Sequence, residues 1–241
     1  MSDQLSFEAL FRRWSRKLTL SAEDRAAFVA LPWTLRSFPR DGYLIREGDR
    51  PTVCNILVQG FAFRQKLVTS GARQIISFHI PGELLDLQNL FLETADHNVQ
   101  CLTRCVMAVV PRRALQELMT ERPAIRRAIF LDSLIDAAVF REWVVNVGRR
   151  NARQRIAHLL CELTARLRAS GVSDGSVYDF PITQEQIADA TGMTPVHTNR
   201  TLQSLRRDGL ISLSSNLLRI LQWEGLSEVG DFNERYLHHS V

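Results

Sequence analysis

From Pro123 to Val147 the sequence contains no glycine and, after its first residue, no proline. Apolar residues recur there at helical spacing: Ala128, Leu131, Ile135 and Ala138 lie 3, 4 and 3 apart, and Val139 and Trp143 widen the stripe. A helix of roughly 25 residues is about 37 Å long at 1.5 Å per residue. That is too long for one small domain to cover, and an apolar seam of this kind commonly pairs with a second copy of itself. A homodimer is therefore expected, with Ala128, Leu131, Ile135, Ala138 and Val139 as its seam. Gly148 is expected to break the helix. The chain then divides into residues 1–122, a dimerisation helix at 123–148, and residues 149–241.

The part before the helix has a different texture. Residues 5 to 31 read as short helices, with Ser21 placed to cap "AEDRAAFVAL". From Trp33 to about Val110, short β-rich runs alternate with turn signals: "GYLIREGD", "VCNILVQGFAFRQKL", "TSGARQIISFHIPGE" and "VQCLTRCVMAVVP". Several such runs at regular spacing predict a sandwich or a barrel-like β-roll. The fold class is thus α+β: a β-roll, a long helix and a smaller C-terminal domain. After the long helix, "RRNARQRIAHLLCELTARLRASG" opens another helix, and Ala169 to Asp179 reads as a Ser/Gly/Asp-rich loop.

Composition sets outer bounds. A chain of 241 residues with 45% hydrophobic content can bury a real core. Net charge is +4, and nearly all the positive charge is arginine, since Lys17 and Lys66 are the only lysines. Arginine suits phosphate and guanine contacts. The start "MSDQLSFEALFRRW" has no apolar run behind a basic end, and no stretch approaches 18 uninterrupted apolar residues. Neither a signal peptide nor a membrane span is expected. Cys54, Cys101, Cys105 and Cys161 are scattered, which fits a reducing cytoplasm. Cytoplasmic location is the expectation.

The chemistry-bearing stretch is "TQEQIADATGMTPVHTNRTLQSL", Thr183 to Leu205. Thr183 with Gln186 three residues on is a capping box. A short helix then ends at Gly192. Thr194 caps again, and Pro195 takes the first helical position, where its missing N–H does no harm. Two short helices joined through a glycine turn make a helix-turn-helix. On the second helix, 194–206, Leu202 and Leu205 face inward. Val196, Asn199, Arg200, Gln203 and Arg207 share the other face. Arginine pairs with guanine, Asn and Gln with adenine, and valine touches a thymine methyl. Thr194 and Arg206 are placed for phosphates, with Thr183 and His197 at the same surface. The run "GLISLSSNLLRILQ" then reads as strand, Ser214-Ser215-Asn216 turn, strand: the wing of a winged helix.

In this combined order the chain resembles the Crp/Fnr family of bacterial transcription regulators over nearly its whole length. "DGYLIREGD", "NILVQGFAFRQ", "GARQIISFHIPGE" and "NLF" resemble that family's cyclic-nucleotide-binding-like roll. "ITQEQIADATGMTPVHTNRTLQSLRRDGLI" resembles its winged helix-turn-helix. The resemblance implies a homodimer on an operator with two-fold symmetry. It also implies a contact between RNA polymerase and the loop before the DNA-binding domain, here Ala169 to Asp179.

Two departures from the family pattern matter. Members that bind cyclic AMP carry a Gly-Glu pair shortly after the Pro-Gly turn, and an Arg followed by Ser or Thr. Here Asp86-Leu87 and His97-Asn98 stand at those places, while Gly82 and Glu83 belong to the turn itself. The pocket formed by Gly82, Glu83, Asp86, Leu87, His97 and Asn98 is therefore expected to be degenerate and to have lost ordinary cyclic-nucleotide binding. Fnr-type members hold an iron–sulfur cluster on N-terminal cysteines, and this chain has none before Cys54. Cys101 and Cys105 are expected on one face of one strand as small buried residues. No cofactor is expected. The alternative is a haem or small-molecule sensor, with His79 or His97 as haem ligand, whose roll ligand gates DNA binding. No G-x-S-x-G, Walker loop or H-E-x-x-H occurs, so an enzyme is not expected.

Overall fold

The computed structural model describes residues 7–174, 177–214 and 216–239. Two compact units emerge. One comprises residues 1–65, 78–137 and 238–241; the other comprises 66–77 and 138–237. Among the described residues no helix is long and apolar enough to cross a membrane.

The first unit opens with α1 (Glu8–Ser15) and α2 (Ala22–Val29). Ser21 caps α2 as the sequence predicts, in a reciprocal capping box with Asp24. Among the described residues, seven strands follow in the chain, with residues 66–77 of β4 and β5 grouped in the second unit: β1 (Thr34–Phe38), β2 (Tyr43–Ile45), β3 (Val53–Gln59), β4 (Ala62–Leu67), β5 (Arg73–His79), β6 (Asn98–Cys101) and β7 (Cys105–Pro111). They form a three-stranded sheet ordered β1-β7-β3 and a four-stranded sheet ordered β2-β6-β4-β5. Strand β7 shows the two-residue period at work. Cys105, Met107 and Val109 join the core between the sheets, together with Ile45, Leu57, Ala62 and Val99. Ala108 and Val110 point the other way, into a second core with Phe7, Leu10, Trp14, Phe28, Leu115 and Ile129. One sheet is thus covered on both faces, by the second sheet and by helices.

Cys101 and Cys105 do not share a strand. Cys101 ends β6 and Cys105 opens β7, because Leu102-Thr103-Arg104 turns the chain between sheets. Both thiols are buried, as expected of small core residues.

After β7 come α3 (Arg112–Glu121) and the long α4 (Pro123–Arg149). Gly148 does not break α4. A glycine one residue from a helix end costs only about 1 kcal/mol relative to alanine, and the helix runs through it to Arg149. The faces of α4 also differ from the expected seam. Ala128, Ala138 and Val139 are buried within the chain, and Leu131 and Ile135 are half-buried. The roll core takes Ala128 and Ile129, and that rotates the exposed stripe elsewhere. Phe130 (61% exposed), Leu134 (50%) and Val144 (68%) face out. With Ala137 and Arg141, also exposed, they form a stripe with spacings of 4, 3, 4 and 3.

Helix α1 is fixed to α4 through one carboxylate. Asp132 accepts from Trp14 Nε1 at 2.8 Å, Lys17 Nζ at 2.7 Å and Arg13 Nη2 at 3.3 Å. Arg13 Nη1 also donates to the Gly82 carbonyl at 2.7 Å. Burial pushes the Asp132 carboxyl up, but the Arg13 and Lys17 charges outweigh it and hold the group below its ordinary value. Asp132→Ala strands a buried ammonium and should cost about 3–5 kcal/mol, read from urea unfolding midpoints. Because the folded pKa is depressed, the wild-type contribution is complete above the ordinary aspartate pKa of about 4. It should fade as pH falls below that value, and the wild-type and mutant midpoints should converge there.

Candidate nucleic-acid interface

The second unit is built around α5 (Ala152–Ser170), capped by Asn151 in a capping box with Gln154 and ended at Gly171 in the left-handed conformation. The helix therefore occupies the first two residues of the expected Ala169–Asp179 loop, and β8 (Val177–Asp179) the last three; residues 175–176 lie outside the described residues. On α5 rest α6 (Gln184–Thr191) and α7 (Pro195–Arg207). Strands β9 (Ile211–Ser214) and β10 (Leu217–Ile220) complete a sheet ordered β8-β10-β9. In the wing turn, Asn216 has φ +60, and Ser215 lies outside the described residues. Helix α8 (Trp223–Val229) and a 3₁₀ turn, Glu234–Leu237, follow, a C-terminal extension the sequence reading did not assign.

Local chemistry builds the helix-turn-helix. Gln186 N donates to Thr183 Oγ1 at 3.2 Å, and Thr183 N donates to Gln186 Oε1 at 2.9 Å. Gly192 closes α6 at φ +64. His197 N donates to Thr194 Oγ1 at 3.3 Å, and Pro195 enters at the first turn of α7. Thr198, Thr201, Leu202 and Leu205 are buried, while Val196, His197, Arg200, Gln203, Arg206 and Arg207 are exposed. Val196, an apolar side chain, is 64% exposed.

Asn199 stands apart from that set. It is half-buried, and its Nδ2 donates to Gln184 Oε1 at 2.8 Å, fastening α7 to α6. Arg200, Arg206 and Arg207 make no ion pair or side-chain hydrogen bond among the described residues. The arginines behind the helix are engaged. Arg153 reaches Ser204 Oγ and Asp208, both at 2.5 Å, and Arg155 reaches the Thr191 carbonyl at 2.9 Å. Among the described residues, three cationic side chains without such partners, Arg200, Arg206 and Arg207, lie on the exposed side of α7.

A buried hub supports this scaffold. Glu162, fully buried on α5, accepts from Trp143 Nε1 at 3.0 Å, Tyr236 OH at 2.9 Å and Arg166 Nη1 at 3.1 Å. Neighbouring His158 approaches the Gly230 carbonyl through Nδ1 at 3.1 Å, and burial holds its pKa low. The sequence reading missed this hub, since Trp143 and Tyr236 lie 19 and 74 residues from Glu162.

The residues expected to line a degenerate pocket are all buried in the first unit, and their polar groups are spent internally. Gly82 has φ +88, and a Cβ there would meet Ala9 at 2.8 Å, so its place is set by α1 packing. Glu83 Oε2 pairs with His79 Nδ1 at 3.1 Å. Asp86 accepts from Asn55 N at 3.1 Å and Asn55 Nδ2 at 3.0 Å, and burial pushes its carboxyl up to about 6. Leu87 packs in the helix-side core. His97 spends Nδ1 on Asp96 at 2.6 Å and Nε2 on Gln88 at 3.0 Å, and Asn98 Oδ1 accepts from Glu47 N at 3.0 Å. None of these six offers a cation to a phosphate. The buried cation nearby is Arg64, which the sequence reading missed, although a charge inside the apolar run "FAFRQKL" was a signal.

Comparisons with known proteins match this architecture. Residues 35–122 match the cyclic nucleotide-binding domain model, and residues 154–229 match the Crp-like helix-turn-helix domain model. The nitrogen fixation regulation protein FixK of Bradyrhizobium diazoefficiens is 31% identical over 173 residues, 69% of each chain. The transcriptional activator protein Anr of Pseudomonas aeruginosa is 26% identical over 205 residues, covering 85% of this chain and 83% of its own. The solved structure of FixK2 from Bradyrhizobium japonicum superposes with a TM-score of 0.76 at 20% identity, covering 83% of this chain and 98% of its own.

Gly192 provides a local test of the scaffold. Alanine there has room, since the nearest atom to the new Cβ is Arg155 Nη1 at 3.7 Å, but it must hold a left-handed φ. Gly192→Ala should destabilise the second unit by about 1–2 kcal/mol in thermal unfolding, through backbone strain alone.

Proposed function

Because this chain belongs to the Crp/Fnr family and is a DNA-binding transcription regulator, not an enzyme, we propose that it works as a homodimer that lays α7 of each protomer into the major groove of an operator with two-fold symmetry. One observation carries this reading: the outward face of α7 presents Val196, Arg200, Gln203, Arg206 and Arg207 exposed, with its arginines unpaired among the described residues. Arg200 lies mid-face and takes a guanine edge; Gln203 and Val196 flank it. Thr183, Thr194 and Arg206 lie toward the phosphates, and His197 sits beside the cap. Asn199 acts by holding the two helices together rather than by reading a base.

The dimer forms along the exposed stripe Phe130, Leu134, Ala137, Arg141 and Val144, whose alternating spacing is that of a two-stranded seam. The half-buried Leu131 and Ile135 flank it. The surface just after Gly171 is the proposed contact for RNA polymerase. The roll takes no cyclic nucleotide, because Glu83, Asp86, His97 and Asn98 already have protein partners and none of them offers a cation to a phosphate. The haem reading has no comparable support, since His97 spends both ring nitrogens and His79 spends Nδ1.

Two mutants separate reading from clamping. Arg200→Ala should lose about 1–3 kcal/mol per half-site and relax preference at one base position. Arg206→Ala should weaken all sequences alike and lower the salt slope by about one. Both are measured on the footprinted operator and on scrambled DNA across a salt series. Equal loss on both DNAs for Arg200→Ala would make that residue a backbone clamp.

Leu134→Asp tests the seam without touching the core, because Leu134 is half exposed in the isolated chain. Sedimentation should show folded monomers, since pairing would bury an uncompensated charge. A variant that remains dimeric places the interface elsewhere.

A further inference from the structure

Strand β4 carries Arg64 on the same face as Ala62, which lies in the core between the sheets. The guanidinium is therefore delivered to the roll interior, and Arg64 is 4% exposed. Its Nη2 donates to the Leu85 carbonyl at 2.9 Å, inside the Gly82–Asp86 segment. Its Nη1 donates to Asp136 Oδ2 at 2.9 Å, and Asp136 is on α4. Asp86, His79 and His97 all feel its charge. A buried arginine is expensive, and an apolar residue usually serves stability as well. What a buried ion pair supplies instead is a fixed register between the elements that carry its two ends.

We propose that Arg64 and Asp136 form a register lock: the buried guanidinium of the roll takes its anion from α4, so α4 is held in place without an effector. This rests on the reading of the roll as a ligand-free regulatory domain. Asp132 lies one turn before Asp136 and anchors the same helix to α1, so two carboxylates set the rotation of α4. That rotation decides which side chains form the outward stripe. The lock therefore sits upstream of dimerisation, and through it of DNA binding.

Asp136→Asn tests the lock. Its side chain is 36% exposed, against 5% for Arg64, so the change is made at the tolerant end. Wild type, Asp136→Asn and Asp136→Glu are compared as full-length proteins by hydrogen exchange over residues 132–140. The measurement is made with and without millimolar cyclic AMP or cyclic GMP. Asp136→Asn should exchange about tenfold faster in that stretch, the size a charge-assisted hydrogen bond confers. Asp136→Glu should keep most of the protection, and neither nucleotide should change wild type.

Operator affinity is the second readout. Wild type should bind fully without any added small molecule, and Asp136→Asn should bind more weakly. Unchanged exchange in Asp136→Asn would overturn the proposal. So would protection, or operator affinity, that wild type gains only on adding a nucleotide or a small-molecule extract. Exchange that behaves as expected in a protein that binds no footprinted fragment would leave the lock standing and remove only the DNA-binding dimer.

Discussion

Helix α4 is amphipathic in two directions at once, and the packing of the first unit depends on that. Its inward side gives Ala128 and Ile129 to the roll core and two carboxylates, Asp132 and Asp136, to buried cations. Its outward side presents Phe130, Leu134 and Val144 to solvent. A helix has a single rotation about its axis, so fixing one face fixes the other. Apolar packing alone sets that rotation loosely, because alanine and isoleucine tolerate small turns of the helix. A carboxylate that must meet Trp14, Lys17 and Arg13 together does not.

The second unit repeats the device with different residues. Glu162 gathers a tryptophan and a tyrosine from distant parts of the chain and an arginine from the next turn of its own helix. Each partner donates a hydrogen bond to a buried charge, and the loss of any one leaves that charge under-satisfied. The consequence is geometric: Trp143 near the end of α4 and Tyr236 at the C-terminal turn are held to the helix that supports α6 and α7. The arginines nearest the reading helix, Arg153 and Arg155, are spent on Ser204, Asp208 and the Thr191 carbonyl, which steadies α7 from behind.

What was legible in the sequence is what local physics writes. The Ser21 cap, the Thr183–Gln186 capping box, the glycine turn, Pro195 at the start of α7 and its inward leucines depend on residues within four positions of one another. The structure holds them as read. The roll was legible as runs of alternation between turns. Which apolar residues of α4 stay exposed was not, because α4 has apolar residues around much of its circumference and spacing alone does not say which of them the roll will cover. Gly148 misled because an isolated glycine is a weak break when the flanking turns are good helix. Arg64–Asp136 and Lys17–Asp132 span 72 and 115 residues, and no local pattern reports such pairs. The one hint was compositional: a charged residue at an inward position of a strand needs a partner somewhere.

The same accounting separates the two ends of the molecule. Inside the roll the cation Arg64 and the carboxylates Glu83 and Asp86 each have protein partners. On α7 the reverse holds. Arg200, Arg206 and Arg207 stand clear of every carboxylate among the described residues, although Asp208 is adjacent in sequence and pairs with Arg153 instead. An intramolecular partner for those arginines would have to be given up before a phosphate or a guanine edge was met, and binding would lose that much of its free energy. Leaving them solvated keeps the cost of docking to dehydration and side-chain ordering.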